Sequence, residues 1–267
     1  LDPACGSGNF LYIALQGVKD IENRANLECE MLGLDPRLPL VGPEILRGIE
    51  VNTLAAELAR TTIWIGDIQW RLRNGIRSKS IPILRKLEAI ETRDALIAAA
   101  PSLLGKRDNG QKKDRLKATS PSLIFTEALW PKAEFIVGNP PFLGIRLLRQ
   151  GLGEEAVNRL FDVYDGRVSR EADLVCYWFE KARAALKSGH SRRVGFVATN
   201  SVRGGANRKI LDQIAIESRI FEAWSDEPAR RKSKRCVHGR YEGRCFRYSG
   251  GARARMVAPS SKPQWSA

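Results

Sequence analysis

No apolar run in this sequence is long enough to cross a bilayer, which takes about 20 residues, and no leader joins a basic start to an apolar centre. A membrane partner is therefore not expected. Histidine occurs only twice and cysteine only five times in 267 residues. The cysteines, at positions 5, 29, 176, 236 and 245, form no CxxC pair. Their odd number argues against a disulfide scaffold, and a reducing cytoplasm fits this usage. Cys236, His238 and Cys245 follow no common zinc spacing and supply too few ligands, so no metal site is expected.

Acidic residues are in the minority, with 30 Asp and Glu against 44 Lys and Arg and a net charge of +14. The excess is uneven. Residues 229–267 hold 11 basic groups and one acid, whereas residues 1–228 hold 33 and 29. Apolar periodicity also stops beyond Pro228, where Ala229-Arg230-Arg231-Lys232 begins a run rich in Arg, Gly and Ser. Two units are expected: a domain over 1–228, large enough for a real core, and a basic, disordered tail over 229–267. Such a tail can grip nucleic-acid phosphates through counterion release. The preferred reading is an out-of-frame or truncated end that replaces the last strands of the sheet.

The chain opens on Leu rather than Met, already inside a motif, so the strand leading into that motif is expected to be largely missing. Leu1-Asp2-Pro3-Ala4-Cys5-Gly6-Ser7-Gly8-Asn9-Phe10 reads as a strand end, a glycine-rich turn and a helix start. Asn9 is the expected N-cap of a helix over 9–24. A turn of this kind brings backbone N–H groups and a helix N-terminus to a ligand edge, which suits a nucleotide-like cofactor. It is not a P-loop, because no Lys follows the glycines. It is not the dinucleotide fingerprint either, because Leu11 stands where a third small residue belongs.

Past a proline-rich connection over 30–47, Ile45–Val51 reads as a short buried strand ending in an acid, with a helix starting at Asn52 and Thr53. Leu87–Leu96 is a candidate third strand ending at Asp94, and residues 105–117 are expected to be a solvated loop. Further strands are expected at 134–138, 192–198 and 220–224, with helices at 172–182 and 206–216. Alternating strands and helices predict an α/β fold with a doubly wound, mostly parallel Rossmann-like sheet, incomplete at both ends. In such sheets an acid at the tip of the second strand commonly binds a ribose, which nominates Glu50.

Gly138-Asn139-Pro140-Pro141-Phe142 follows an apolar strand. Two consecutive prolines fix backbone angles and remove two N–H donors, so the turn presents carbonyl oxygens. The Asn139 side-chain carbonyl and the Pro140 backbone carbonyl can hold the N–H groups of an amine, and Phe142 can stack on the flat base that bears it. Hydrogen bonds of that kind aim the amine's lone pair at a methyl on a sulfonium, chemistry that works by positioning and needs neither metal nor cysteine. C5-cytosine methylation would want a Pro-Cys nucleophile after this strand, and none is present.

Together these motifs resemble the S-adenosylmethionine-dependent DNA N6-adenine methyltransferases of the gamma class. The phrases Asp-Pro-Ala-Cys-Gly-Ser-Gly-Asn-Phe-Leu, Gly-Ile-Glu and Gly-Asn-Pro-Pro-Phe are similar to the core of the MmeI-like single-chain restriction–modification enzymes. The resemblance covers residues 1 to about 228. It implies S-adenosylmethionine as cofactor, with Asp2, Pro3, Ala4, Gly6, Gly8, Asn9 and Phe10 at its methionine end. It further implies Glu50 on the ribose, Asp94 on the exocyclic amine of the cofactor's adenine, and Asp173 and Leu174 in a motif that lines the pocket near that adenine. Asn139, Pro140, Pro141 and Phe142 would hold an adenine flipped out of double-stranded DNA, since a stacked base cannot reach such a pocket. The resemblance also implies a nuclease domain before this core and a target-recognition domain after it. Two other readings fit the residues: methylation of a protein glutamine amide, and a catalytically inactive remnant that binds nucleic acid through its basic tail.

Overall fold

The computed structural model describes residues 1–35, 40–76, 87–101, 123–222 and 253–259. Along the chain run α1 (Asn9–Met31), a 3₁₀ turn (Pro43–Ile45), β1 (Gly48–Glu50), α2 (Thr53–Arg73), β2 (Ile90–Thr92), β3 (Ile97–Pro101) and β4 (Leu123–Glu127). There follow β5 (Phe135–Gly138), α3 (Ile145–Leu152), α4 (Glu154–Val163), α5 (Val175–Lys187), β6 (Arg193–Ala198), a second 3₁₀ turn (Asn200–Arg203), α6 (Gly205–Glu217), β7 (Ser218–Glu222) and β8 (Arg253–Pro259). None of the described helices is long and apolar enough to cross a membrane.

Local chemistry sets the helix ends, and in two places not as the sequence suggests. Asn9 is not the N-cap of α1: Gly8 takes that place in a left-handed conformation, φ 86°, and no side chain caps the helix. α1 also runs a full seven residues beyond position 24, because no Gly or Pro interrupts it before Gly33. There a left-handed glycine, φ 74°, lets Leu34 N–H bond back to Cys29 O and ends the helix. At α2 the expected start holds, with the Asn52 side chain accepting from Ala55 N at 3.1 Å.

The stretch Leu87–Leu96 is not one strand. β2 stops at Thr92, and Asp94 Oδ1 accepts from Leu96 N at 2.6 Å and Ile97 N at 3.2 Å. This side-chain-to-backbone turn offers the chain an alternative to the ladder. Beyond it β3 swings away to pair antiparallel with β4.

β1 pairs parallel with β2, and β5 pairs parallel with β6. Leu1 and Asp2 join the two pairs. Asp2 N–H donates to Arg47 O and Ile49 N–H donates to Asp2 O, while the Leu1 nitrogen donates to Phe135 O and Val137 N–H donates to Leu1 O, all within 3.0 Å. On the far side, β8 lies antiparallel between β6 and β7. It comes from the stretch expected to stand apart as a tail. A strand in that position pairs the edges that β6 and β7 would otherwise leave open. Residues 229–252 and 260–267, with Cys236, His238 and Cys245, lie outside the described residues, as does the expected loop over 105–117.

The result is a mixed α/β architecture with small parallel sheets and two apolar clusters. Ile49 belongs to one cluster with Ile136, Val194 and Phe196 and the buried faces of α4, α5 and α6. A Cβ on the neighbouring Gly48 would instead meet Ile90 and Leu11, members of the second cluster, which α1 and α2 build. Successive residues of a strand face opposite sides, so the clusters flank β1 on its two faces. The inner face of α2 is Ala56, Ala59, Ile63 and Trp70, while Leu54, Leu58 and Ile65 are exposed. Small residues stand where α1 and the glycine turn come closest: a Cβ on Gly66 would overlap the Tyr12 ring, and Ala59 faces Gly8.

Between α1 and α2 a fully buried ion pair sets their register. Lys19 Nζ lies 2.6 Å from Asp67 Oδ1, outside hydrogen-bond direction, and 4.6 Å from the centre of the Trp70 ring. Arg71 donates to the other oxygen of Asp67 at 2.8 Å. Removing one member of such a pair strands a buried charge. Lys19→Ala is therefore expected to cost about 3 kcal/mol or more, whereas Lys19→Met combined with Asp67→Leu should come out near neutral. Urea unfolding of the two variants compares them directly.

Candidate functional site

The parallel strands all end on one side, and a cleft of about 640 Å³ opens there. Its volume falls within the ~300–1,000 Å³ usual for small-molecule sites. Pro3 and Ala4 line it after Asp2, Glu50 and Val51 at the end of β1, and Arg93 to Ile97 after β2. Asn139, Pro141, Phe142 and Leu143 line it beyond β5. Ligands of open α/β sheets sit outside the carboxyl ends of the strands, and this cleft does the same. The opposite wall comes from Leu152, Ala156 and Leu160 around α3 and α4, and from Leu174 and Trp178 at α5.

The glycine turn is held against β1. Cys5 N–H donates to Ile49 O at 3.0 Å, Gly8 N–H to Cys5 O at 2.8 Å, and Gly6 N–H to Glu50 Oε2 at 2.8 Å. Gly8 is required twice over: its φ of 86° is left-handed, and a Cβ would come within 2.9 Å of the Ala59 Cα. Glu50 Oε1 accepts from Asn52 N at 2.9 Å. Each Glu50 oxygen therefore takes one backbone N–H, and a carboxylate oxygen has room for a second donor.

Asp2 is buried and does not line the cleft. Its Oδ1 accepts from Ala4 N at 3.0 Å, and a Cβ on Gly138 would come within 2.5 Å of the same oxygen. The two sequence signatures thus touch: the glycine before Asn139 leaves room for the acid of the first motif. Burial pushes the Asp2 carboxyl up to about 7, opposed by the Ala4 N–H and reinforced by the charge of Glu50. Gly6, Gly8, Asn9, Phe10 and Pro140 also lie outside the cleft lining.

Asp94 does line the cleft, beside the apolar run Ala95-Leu96-Ile97. That wall is braced from behind. Trp130 Nε1 donates to Ala95 O at 2.8 Å, and the buried Tyr164 hydroxyl donates to Leu96 O at 3.1 Å. Asn139 and Pro141 are exposed at the mouth, and Phe142, 38% exposed, stands beside them. Asp173 is placed elsewhere. Its carboxylate accepts from Ile145 N at 3.1 Å and from Asn207 Nδ2 at 2.7 Å, so it fastens α3 and α6 together below the cleft.

Of the second wall, sequence reasoning reached only Leu174, which does line the cleft, and missed the rest. Ala156 and Leu160 stand four residues apart on α4, a spacing that marks a helix face, and Leu152 ends the helix before it. The same spacing marks ordinary core, so it could not announce a cleft. Trp178 stands on a helix whose inner residues all read as core, and only the placement of α5 under Leu143 brings it to the cleft.

The raised Asp2 carboxyl has a pH consequence. Its folded-state value lies above its ordinary 3.8, so the stability it lends is fully present below about 3.8 and is lost as pH rises through about 7. Asp2→Asn cannot titrate. Urea midpoints from pH 4 to pH 8 should show the parent protein losing ground to this variant up to about pH 7, then a constant difference.

The model of the MmeI DNA-methyltransferase domain matches residues 1–225. Among curated proteins, DNA methyltransferase A of Bacillus subtilis (strain 168) is 28% identical over 213 residues, which are 79% of this chain and 22% of that protein. Among solved structures, the Type IIL restriction–modification enzyme MmeI in complex with DNA superposes with a TM-score of 0.57 at 22% identity. That match covers 96% of this chain and 30% of the MmeI chain, and at this identity it speaks for the fold. The chain spans about a fifth to a third of the length of these relatives. Since the family model takes in most of its residues, the chain belongs to the MmeI DNA-methyltransferase domain family.

Proposed function

We propose that the cleft binds S-adenosylmethionine beside an adenine extruded from double-stranded DNA, and that the protein methylates that adenine at N6 within a restriction–modification system. The observation that carries this reading is that Glu50, Asp94 and Asn139, Pro141 and Phe142 of the proline turn, 92 positions apart at the extremes, open on one cleft. We also read the two parallel pairs, joined through Leu1 and Asp2 and flanked by helices, as one doubly wound sheet. The DNA-methyltransferase relatives support the substrate class.

The cleft suits the cofactor. Glu50 offers carboxylate oxygens with acceptor capacity to ribose hydroxyls, and Asp94 offers an acceptor to an adenine amine against the flat apolar wall of Ala95 to Ile97. Asp2, Pro3, Ala4, Gly6, Gly8, Asn9 and Phe10 form the turn for the methionine end. Asp2 acts there through the turn, by holding Ala4 N–H, rather than by direct contact. When bound, the cofactor supplies an electrophilic methyl group on a good leaving group.

The remaining work is positioning by this chain. Phe142 stacks on the extruded base, and the Asn139 side-chain carbonyl and Pro140 backbone carbonyl accept the two N–H bonds of its amine. Those bonds draw the nitrogen lone pair out of conjugation and direct it at the methyl carbon. The two carbonyl oxygens would stabilise the positive charge that nitrogen gains on taking the methyl group as the methyl's bond to sulfur breaks and a neutral thioether leaves, and the surplus proton would pass to solvent. Leu143 and Trp178, apolar side chains in the lining, disfavour water beside the reacting groups. Asp173 contributes from outside the cleft, and the nuclease and target-recognition domains of the MmeI-like enzymes are proposed for the parent protein.

Incubation of the protein with methyl-labelled cofactor and unmethylated duplex DNA should yield N6-methyladenine. Label on cytosine N4, or on glutamine of added protein, would overturn the reading. Asn139→Ala should lower transfer by about 100-fold while cofactor affinity is kept, as for the loss of one oriented group at a developing charge. Glu50→Ala should instead weaken cofactor binding by about tenfold or more, the worth of hydrogen bonds to a charged group, and calorimetry separates the two effects.

A further inference from the structure

Asn207 lies on the first turn of α6, is 7% exposed and takes no part in the cleft lining. All of its side-chain capacity is nevertheless spent in one direction. Its Oδ1 accepts from Asp173 N at 2.7 Å and from Cys176 Sγ at 3.3 Å. Its Nδ2 donates to Asp173 Oδ2 at 2.7 Å and to Ser201 O at 3.1 Å. The amide therefore grips Asp173 by both backbone and side chain, a closed reciprocal pair that admits one orientation of the carboxylate.

Asp173 in turn grips the segment that follows Phe142. Its other oxygen accepts from Ile145 N at 3.1 Å, and the next residue, Leu174, donates its N–H to Leu143 O at 2.9 Å. Residues 143–145 are thus tied at two successive points to residues 173–174. The Asp173 charge also sits at the N-terminus of α3, where a carboxylate is favoured. Gly144, between the two tied residues, packs in ordinary contact with the same carboxylate, a Cβ on it standing 3.6 Å from Asp173 Oδ1. Ser201, the remaining partner of Asn207, follows β6, the strand beside β5. The amide therefore references the Phe142 loop to the sheet itself.

We infer that Asn207 is a positioning residue of the base-binding turn, fixing the place of Phe142 and Asn139 through Asp173 without touching substrate or cofactor. This rests on the reading of that turn as the base site. Misplacing a reacting group by about 1 Å can cost about 100-fold in rate, whereas among the described residues Pro3, Glu50 and Asp94, on the cofactor side of the cleft, share no hydrogen bond with Asn207 or Asp173.

The test pairs kinetics with hydrogen exchange on the protein that carries this chain. Asn207→Ala should lower kcat for methyl transfer to unmethylated DNA by about tenfold or more and leave the KM for S-adenosylmethionine within twofold. Amide exchange should rise in the peptide spanning 143–150, where Ile145 N–H loses its fixed acceptor, and stay unchanged in α2. Arg208→Ala, next door and paired only with Asp212 on its own helix, should match the parent protein in every readout. An unchanged kcat overturns the inference. So does exchange that rises equally in α2, or a cofactor KM that worsens in step with kcat, since either makes Asn207 a general stability residue. Should the parent protein itself transfer no methyl group, the proposed activity fails, and the exchange pattern alone still decides whether Asn207 sets the loop.

Discussion

The backbone ladder through Leu1 and Asp2 is the interaction on which the other features depend. Two residues bond on one side to Arg47 and Ile49 and on the other to Phe135 and Val137. Without them β1 and β5 would have no hydrogen bonds in common, and the ends that carry Glu50 and Asn139 would have no fixed separation. The same two residues place the Asp2 carboxylate under the glycine turn and over Gly138. Burial there raises its proton affinity, so the joint between the halves of the sheet carries a carboxyl that titrates near neutrality.

Around that joint the cleft is rigid on both sides by different means. The Ala95 to Ile97 wall is fixed by hydrogen bonds from Trp130 and Tyr164 to its carbonyls. The Asn-Pro-Pro-Phe turn is fixed by proline at its centre and by Asp173 and Asn207 beyond it. Reactions governed by alignment need such support more than they need reactive side chains, because the groups involved are ordinary amides and carbonyls whose value lies in where they point. The described residues fit that demand: polar groups near the cleft are mostly committed to holding backbone, and few are left to move.

Much of this was legible from residue order. The glycine turn, the acid of Gly-Ile-Glu and the proline-fixed turn each carry a backbone requirement that few other residues meet, so each shows in a single sequence. Helix boundaries were less legible. Asn9 looks like a cap, but the left-handed Gly8 already turns the chain and leaves Asn9 exposed. Asp94 looks like a strand end, and it does lie past one, yet its side chain bends the chain into β3. Leu54, Leu58 and Ile65 stay exposed on α2, while Ala56, Ala59, Ile63 and Trp70 make its inner face, a choice set by how α1 packs on it.

The sequence by itself determined the family, the α/β class and the residues on the near wall of the cleft, because glycine and proline encode backbone geometry locally and the strand ends follow from apolar runs. Only the tertiary structure decided that Asp2 faces Gly138 rather than the cleft, that Asp173 fastens helices, and that Asn207 stands behind it. Those are contacts between residues 28 to 136 positions apart, set by how helices pack on the sheet, and no local pattern records them. The opening glycine turn is therefore half of a joint whose other half is Gly138.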